Sequence, residues 1–178
     1  LDKNENRIFE GGKRFSSESK INNDTLISII TVVKNKSEYI QETIDSIKNQ
    51  KYKNIEHIII DGVSTDGTVE IVKKNIDSID YFVSEPDLGN YDAINKGISL
   101  CTGELIGIVN ADDILLPDAS LILLEYYKKY PEIDFFFGSV KKHWGTISGY
   151  YPKKINYSWF FYTSHSTGFF LKRNVAKK

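Results

Sequence analysis

The sequence contains a single cysteine, Cys101, and no methionine among its 178 residues. One thiol closes no internal disulfide, which fits a reducing compartment, and it cannot complete a zinc site. His143 and His165 are too far apart in sequence for a zinc spacing. Excess charge of either sign is also missing. With 23 Lys and Arg against 24 Asp and Glu, the net charge is -1, and no basic field marks a nucleic-acid partner. No apolar run reaches bilayer length, and no signal-peptide pattern opens the chain. A Walker loop, a GxGxxG fingerprint and a Gly-x-Ser-x-Gly elbow are all absent. This argues against nucleotide hydrolysis, dinucleotide-dependent chemistry and serine-hydrolase chemistry. A chain that starts at Leu1 and holds no Met reads as a piece of a longer or engineered protein.

The remaining composition is that of one soluble globular domain, 40% hydrophobic and 26% charged. Residues 1–25 are polar and weakly periodic, an extended lead-in that is partly disordered. From Leu26 the pattern changes. Leu26 to Val33 is a β-branched run of the kind buried on both faces of a sheet. Ser37 is placed to cap a helix whose Ile40, Ile44 and Ile47 share one stripe. The cycle repeats through a strand at Ile55 to Ile60, a helix opened by Ser64-Thr65-Asp66-Gly67, and a strand at Ile79 to Val83. It continues with a helix from Asn90 to Cys101, a strand from Glu104 to Val109, and a helix from Pro117 to Tyr130. A last strand runs from Ile133 to Val140. This alternation predicts an α/β fold, Rossmann-like, with a mostly parallel sheet flanked by helices over 26–140. Residues 141–178 are rich in aromatics and predict a hairpin and a short helix laid over the sheet. Phe135, Phe136 and Phe137 read as core; Trp144, Tyr151 and Trp159 are left open between packing and an acceptor groove.

Ligands of open α/β sheets bind beyond the carboxyl ends of the strands. Four polar segments fall there: Lys34 to Lys36, Asp61 to Asp66, Glu85 to Asp92, and Asn110 to Asp113. Adjacent Asp112 and Asp113 repel, and either a divalent cation or separate hydrogen bonds relieve the repulsion. On the pair alone the two accounts stand level. Asp61 can accept from a base or ribose, or simply form an Asx-turn into Gly62. Asp66 reads as a helix N-cap. Asp92 and Lys96, at i and i+4, form an intrahelical pair on the simplest account. Tyr91 either lies against a ligand ring or packs. His57, inside a strand, is structural.

Taken together, Ser28 to Asn35, Ile60 to Thr68, Gly103 to Asp113 and Ser84 to Gly97 resemble family 2 glycosyltransferases of the GT-A fold. The Ser84-Glu85-Pro86-Asp87-Leu88-Gly89-Asn90-Tyr91-Asp92 stretch is similar to a bacterial branch that builds colanic-acid-like exopolysaccharide and O-antigen units. The resemblance covers about residues 26–172. It implies inverting transfer of a sugar from a nucleotide diphosphate donor, UDP above all, to a glycan or lipid-linked acceptor, with Mn2+ or Mg2+. Carried over by motif, Val32 and Lys34 lie along base and ribose, Asp61 binds the base, and Asp112 reaches metal and diphosphate. Tyr91, Asp92, Asn110 and Ala111 complete the implied nucleotide-sugar-binding set. A cytoplasmic place follows, at most peripheral at the inner face of the membrane.

The sequence departs from the family pattern at two positions. The usual Asp-x-Asp is Asn110-Ala111-Asp112, and Gly62-Val63 stands where many relatives carry Asp-Gly. The family's general base lies beyond the segment resembling Ser164 to Arg173, so it is expected past Lys178, and 141–178 is expected to begin an acceptor-side region. A non-catalytic nucleotide-sugar-binding module is therefore the alternative. A sugar-phosphate nucleotidyltransferase would need a Gly-rich, basic loop after the first strand, and Val33-Lys34-Asn35-Lys36 does not supply it.

Overall fold

The computed structural model describes residues 6–16, 24–142, 145–147 and 167–177. Four parallel strands form the centre: β2 (Ile27–Val33), β3 (Ile55–Asp61), β4 (Tyr81–Ser84) and β5 (Leu105–Ile108). Including β1 (Phe9–Gly11), β6 (Phe135–Phe137) and β9 (Phe169–Lys172), the spatial order is β1-β4-β3-β2-β5-β9-β6. A hairpin of β7 (Val140–Lys142) and β8 (Gly145–Ile147) stands apart from this sheet.

Alternation along each buried strand sends side chains to both faces. Ile30 and Val32 of β2, Ile58 and Ile60 of β3, and Ile106 and Ile108 of β5 face α3 (Asn90–Leu100). Ile29, Val33, Ile59 and Phe82 turn the other way, toward α1 (Ile40–Lys48), α2 (Thr68–Lys74) and α4 (Ala119–Lys129). On α3 the inward residues are Ala93, Ile94 and Gly97. A Cβ on Gly97 would lie 2.5 Å from Ile30 Cγ2, so its absence lets the helix approach β2 closely. Ile40, Ile44 and Ile47 form the expected buried stripe, but α1 starts at Ile40 rather than beside Ser37, because Lys36 to Tyr39 form a turn first. His57 is buried with its Nε2 3.0 Å from Thr31 Oγ1, as fits a structural histidine.

Three features of the fold go beyond the expectations from sequence. Within the lead-in, β1 pairs antiparallel with β4, and Arg14 reaches the buried Glu56, which also accepts from Ser28 Oγ at 2.6 Å and Thr102 N at 3.0 Å. Burial by itself would raise the Glu56 carboxyl, but these bonds hold it below the usual range. Second, β9 enters the sheet antiparallel between β5 and β6. Third, Phe135 and Phe137, read as core, are 46% and 48% exposed. They lie on an edge strand and lean on Phe169, with only Phe136 turned toward the interior. After the hairpin a short helix is described at Arg173–Ala176, whereas His143, His165, Trp144, Tyr151 and Trp159 lie outside the described residues. Among the described residues no helix is long and apolar enough to cross a membrane.

Candidate active site

The strand order reverses at β2. From there the chain moves outward through α1 and α2 to β3 and β4, then returns across α3 to β5 on the other side. Loops leaving β2 and β5 therefore diverge, which opens a crevice at their carboxyl ends. A cavity of about 510 Å³ occupies that place. Val32, Val33 and Ala111 supply its apolar lining, and Lys34, Lys36, Asn110 and Asp112 its polar lining from the same two strand ends. Asp87 and Gly89 close it from the β4–α3 connection, and Asn90 and Ala93 from the first turn of α3.

The loop after β2 is clasped by the loop after β3. Asn35 N donates to Ser64 Oγ at 2.8 Å, while Asn35 Oδ1 accepts from Thr65 N at 2.8 Å. Lys36 N donates to Thr68 Oγ1 at 2.9 Å, and Ser37 N to Asp66 Oδ2 at 3.0 Å. Asp66 Oδ1 accepts from Thr68 Oγ1 at 2.6 Å and Thr68 N at 3.1 Å. Bonds from the Thr68 hydroxyl first, and then the Ser37 amide, hold the Asp66 carboxyl far below the ordinary range. Asp66 is thus not the N-cap expected from sequence. Gly67 takes that position at φ 95°, and Asp66, one residue earlier, ties two loops together.

Asp61 is fully buried at the end of β3. It accepts from Ser64 N at 3.0 Å, from the Ser64 hydroxyl, and from Ser84 Oγ at 2.6 Å. Its carboxylate fastens β3 to β4 and shapes the following turn; it does not line the cavity. That turn places Val63 at φ 63°, a left-handed conformation that β-branched side chains resist. Beside it, a Cβ on Gly62 would stand 2.3 Å from Asp87 Oδ2 and 3.4 Å from Lys34 Cδ, so glycine admits both side chains to the cavity wall.

At the end of β5 the two adjacent carboxylates point apart. Asp112 Oδ2 accepts from Lys36 Nζ at 2.8 Å, whereas Asp113 Oδ2 accepts from Asn110 Nδ2 at 2.9 Å and from the Thr167 hydroxyl. The bond to Asp112, then its charge, raises the Lys36 ammonium above its ordinary value. Only Asp112 of the pair faces the cavity. Among the described residues no cluster of three or more His, Cys, Asp or Glu side chains forms a metal cage. A half-exposed carboxylate at the rim of a lysine-lined cavity suits a different arrangement. A hard divalent cation would take one or two protein carboxylates and complete its shell with phosphate oxygens and water.

The β4–α3 connection is braced from outside the cavity. Buried Glu85 accepts from Arg7 Nε at 3.0 Å and pairs with Lys96 Nζ at 3.1 Å. Burial works against its charge, but Arg7 and Lys96 hold the carboxyl low. Lys96 also donates to Pro86 O at 2.7 Å and pairs with Asp92 at 3.3 Å, while Asp92 Oδ2 accepts from Leu88 N at 3.0 Å. Asp92 and Lys96 therefore shape this loop. Tyr91 is 81% exposed and lies outside the cavity lining.

Of the residues expected from sequence, Val32, Lys34, Asn110, Ala111 and Asp112 come together around one cavity, whereas Asp61, Tyr91 and Asp92 do not line it. Lys36 and Asp87 join the lining and were not singled out beforehand. Their position directly after buried strands was the available signal.

Comparison with known proteins agrees with this geometry. Poly-beta-1,6-N-acetyl-D-glucosamine synthase of Staphylococcus epidermidis is 34% identical over 110 residues, which is 60% of this chain and 26% of the synthase. The chain spans less than half the length of the curated relatives it matches. Among solved structures, S. aureus TarS 1-349 in complex with UDP-GlcNAc superposes with a TM-score of 0.66 at 17% identity, covering 85% of this chain and 46% of that one. The mannosyltransferase PcManGT from Pyrobaculum calidifontis, in complex with GDP-Man and Mn2+, gives 0.60 at 23% identity, covering 73% and 41%. At these identities the structures show a shared GT-A fold. Residues 28–176 match the family model Glycosyl transferase family 2, and the chain belongs to that family.

Proposed function

We propose that this chain binds a nucleoside-diphosphate sugar, UDP-linked, in the cavity between β2 and β5, and serves inverting transfer of the sugar to a hydroxyl acceptor. The observation that carries this reading is the convergence of Lys34, Lys36, Asn110 and Asp112 on one cavity at the reversal of strand order. Two ammonium groups suit a diphosphate, and the apolar walls of Val32, Val33 and Ala111 suit a nucleoside ring. Asp112 would hold Mn2+ or Mg2+ together with the diphosphate, which its half-exposed carboxylate in the cavity lining supports. Such an ion, when bound, neutralises charge that grows on the departing nucleoside diphosphate. Asn110 stays turned toward Asp113, which keeps Asp113 away from that position. Asp61 acts behind the site by fixing the turn that carries Gly62. Residues from 141 onward belong to the acceptor side in this reading. The acceptor in this reading is a glycan or lipid-linked hydroxyl in surface-polysaccharide synthesis; similarity to a poly-beta-1,6-N-acetyl-D-glucosamine synthase supports its glycan part.

Calorimetric titration with UDP, with and without Mn2+, tests the reading. Binding should tighten at least tenfold with Mn2+, and Asp112→Ala should abolish that gain. UDP binding that ignores both the metal and Asp112 would remove the proposed role of this carboxylate.

A further inference from the structure

Lys36 combines a fixed backbone with a side chain that has room to move. Its amide is held by Thr68 Oγ1 at 2.9 Å, and the amides on either side by Ser64 Oγ and Asp66 Oδ2. Its carbonyl accepts from Tyr39 N and Ile40 N at 3.0 Å each, the first bonds of the turn into α1. The ammonium, in contrast, projects into the cavity lining. Lys36 is 40% exposed, and its one ion-pair partner among the described residues is Asp112, itself 44% exposed. Lys34 lies at the Gly62 side of the cavity and Lys36 at the Asp112 side, so the two cations are not interchangeable.

The ion pair occupies the carboxylate that a cation would need. A divalent ion at Asp112 and the Lys36 ammonium cannot share one short contact, because like charges that close repel. When the carboxylate turns to a metal, the displaced ammonium remains within the same cavity. A diphosphate brought in with the metal offers it new oxygen acceptors. We propose that Lys36 is a counter-charge that holds Asp112 in the donor-free site and transfers to the donor diphosphate when a divalent cation takes Asp112. The inference rests on the donor-binding reading above and adds a residue and a sequence of events to it.

The exchange has a two-sided signature. Lys36→Met removes a competitor for Asp112, so Mn2+ alone, followed through the free-ion signal in electron paramagnetic resonance, should bind about two- to fivefold tighter. The same variant loses a charge-assisted contact, so UDP in saturating Mn2+ should bind roughly tenfold weaker by calorimetry. Lys36→Arg should keep the direction of both wild-type values, and an unchanged melting temperature of Lys36→Met confirms that the fold persists. A general disturbance of the site would weaken both ligands together. Mn2+ binding that is unchanged or weaker in Lys36→Met, or UDP binding that is unchanged, overturns the exchange. If the wild-type protein takes up no UDP with or without Mn2+, the donor-binding reading itself falls. If it does and Lys36→Met matches it, only the role of Lys36 falls.

Discussion

Replacing Val63 should stabilise the protein, and the size of the gain can be worked from its backbone. Val63 sits at φ 63°, where an L-residue places its Cβ against the following carbonyl at a cost of roughly 1–2 kcal/mol. The turn imposes this angle because the Ser64 amide and hydroxyl must both reach the buried Asp61 carboxylate. Val63 is not part of the apolar core on either face of the sheet, so little packing is lost with its side chain. Asparagine tolerates the left-handed region and keeps a constrained unfolded chain. It keeps its Cβ, however, and recovers only part of that cost, so Val63→Asn should gain about 0.5–1 kcal/mol, or roughly 1–4 °C in melting temperature for a domain of this size. Glycine removes the Cβ and the whole strain but adds unfolded-state entropy worth about 0.5–1 kcal/mol, so Val63→Gly should gain a similar amount. Thermal unfolding followed by circular dichroism should place both variants above the wild type. If Val63→Asn melts at or below the wild-type temperature, the positive φ is not a cost to this fold.

Two further perturbations reach the core and the site wall. Burial, then the nearby Lys13 charge, pushes the His57 imidazole down to about 3, so its folded value lies below its unfolded one. Its contribution is complete above pH ~6.5 and is lost as pH falls toward the folded value; between pH 7.5 and 5 the loss is about 2 kcal/mol. Urea midpoints at the two pH values should show that loss in the wild type and not in His57→Gln. At the cavity wall, Gly62→Ala drives a Cβ into Asp87 Oδ2, the movable end of a side chain, so the fold should survive while Asp87 is displaced. UDP affinity should fall at least severalfold with a melting temperature within about 2 °C of wild type, and unchanged affinity would show that Asp87 and Gly62 do not border the ligand.

The central sheet was legible in sequence because its strands carry their own signal. Ile27 to Val33 and Ile55 to Ile60 are rich in isoleucine and valine, interrupted only by Ser28 and Thr31 and by Glu56 and His57, and polar turns mark where each stops. Short strands with distant partners carried no such signal. Phe9–Gly11 has three residues in a polar segment and exists through pairing with β4, helped by Arg7 and Arg14 reaching Glu85 and Glu56. Phe169–Lys172 has only four residues, and its place beside β5 depends on contacts more than 60 residues away in sequence. The same distinction holds at the site. Strand ends pointed to Asn110-Ala111-Asp112 and Lys34, whereas the commitment of Asp61 to Ser64 and Ser84 depends on where a third strand lies. The opposite directions taken by Asp112 and Asp113 depend on Lys36 and Thr167, and no local pattern names those partners.

The late strand between β5 and β6 also bears on how the chain is made. Synthesis delivers β2, β3, β4 and β5 in succession, and their parallel pairing needs nothing beyond Ile108. From then until Phe169 emerges, β5 offers an open row of amides and carbonyls, and β6 has no strand to join. An interval of some sixty residues, at roughly 5–20 residues per second, leaves that edge uncovered for several seconds on the ribosome. Closure then brings together segments far apart in sequence, the slow class of folding event. Among the described residues, the strand that covers β5 and gives β6 its partner is thus also the one that ends this exposure.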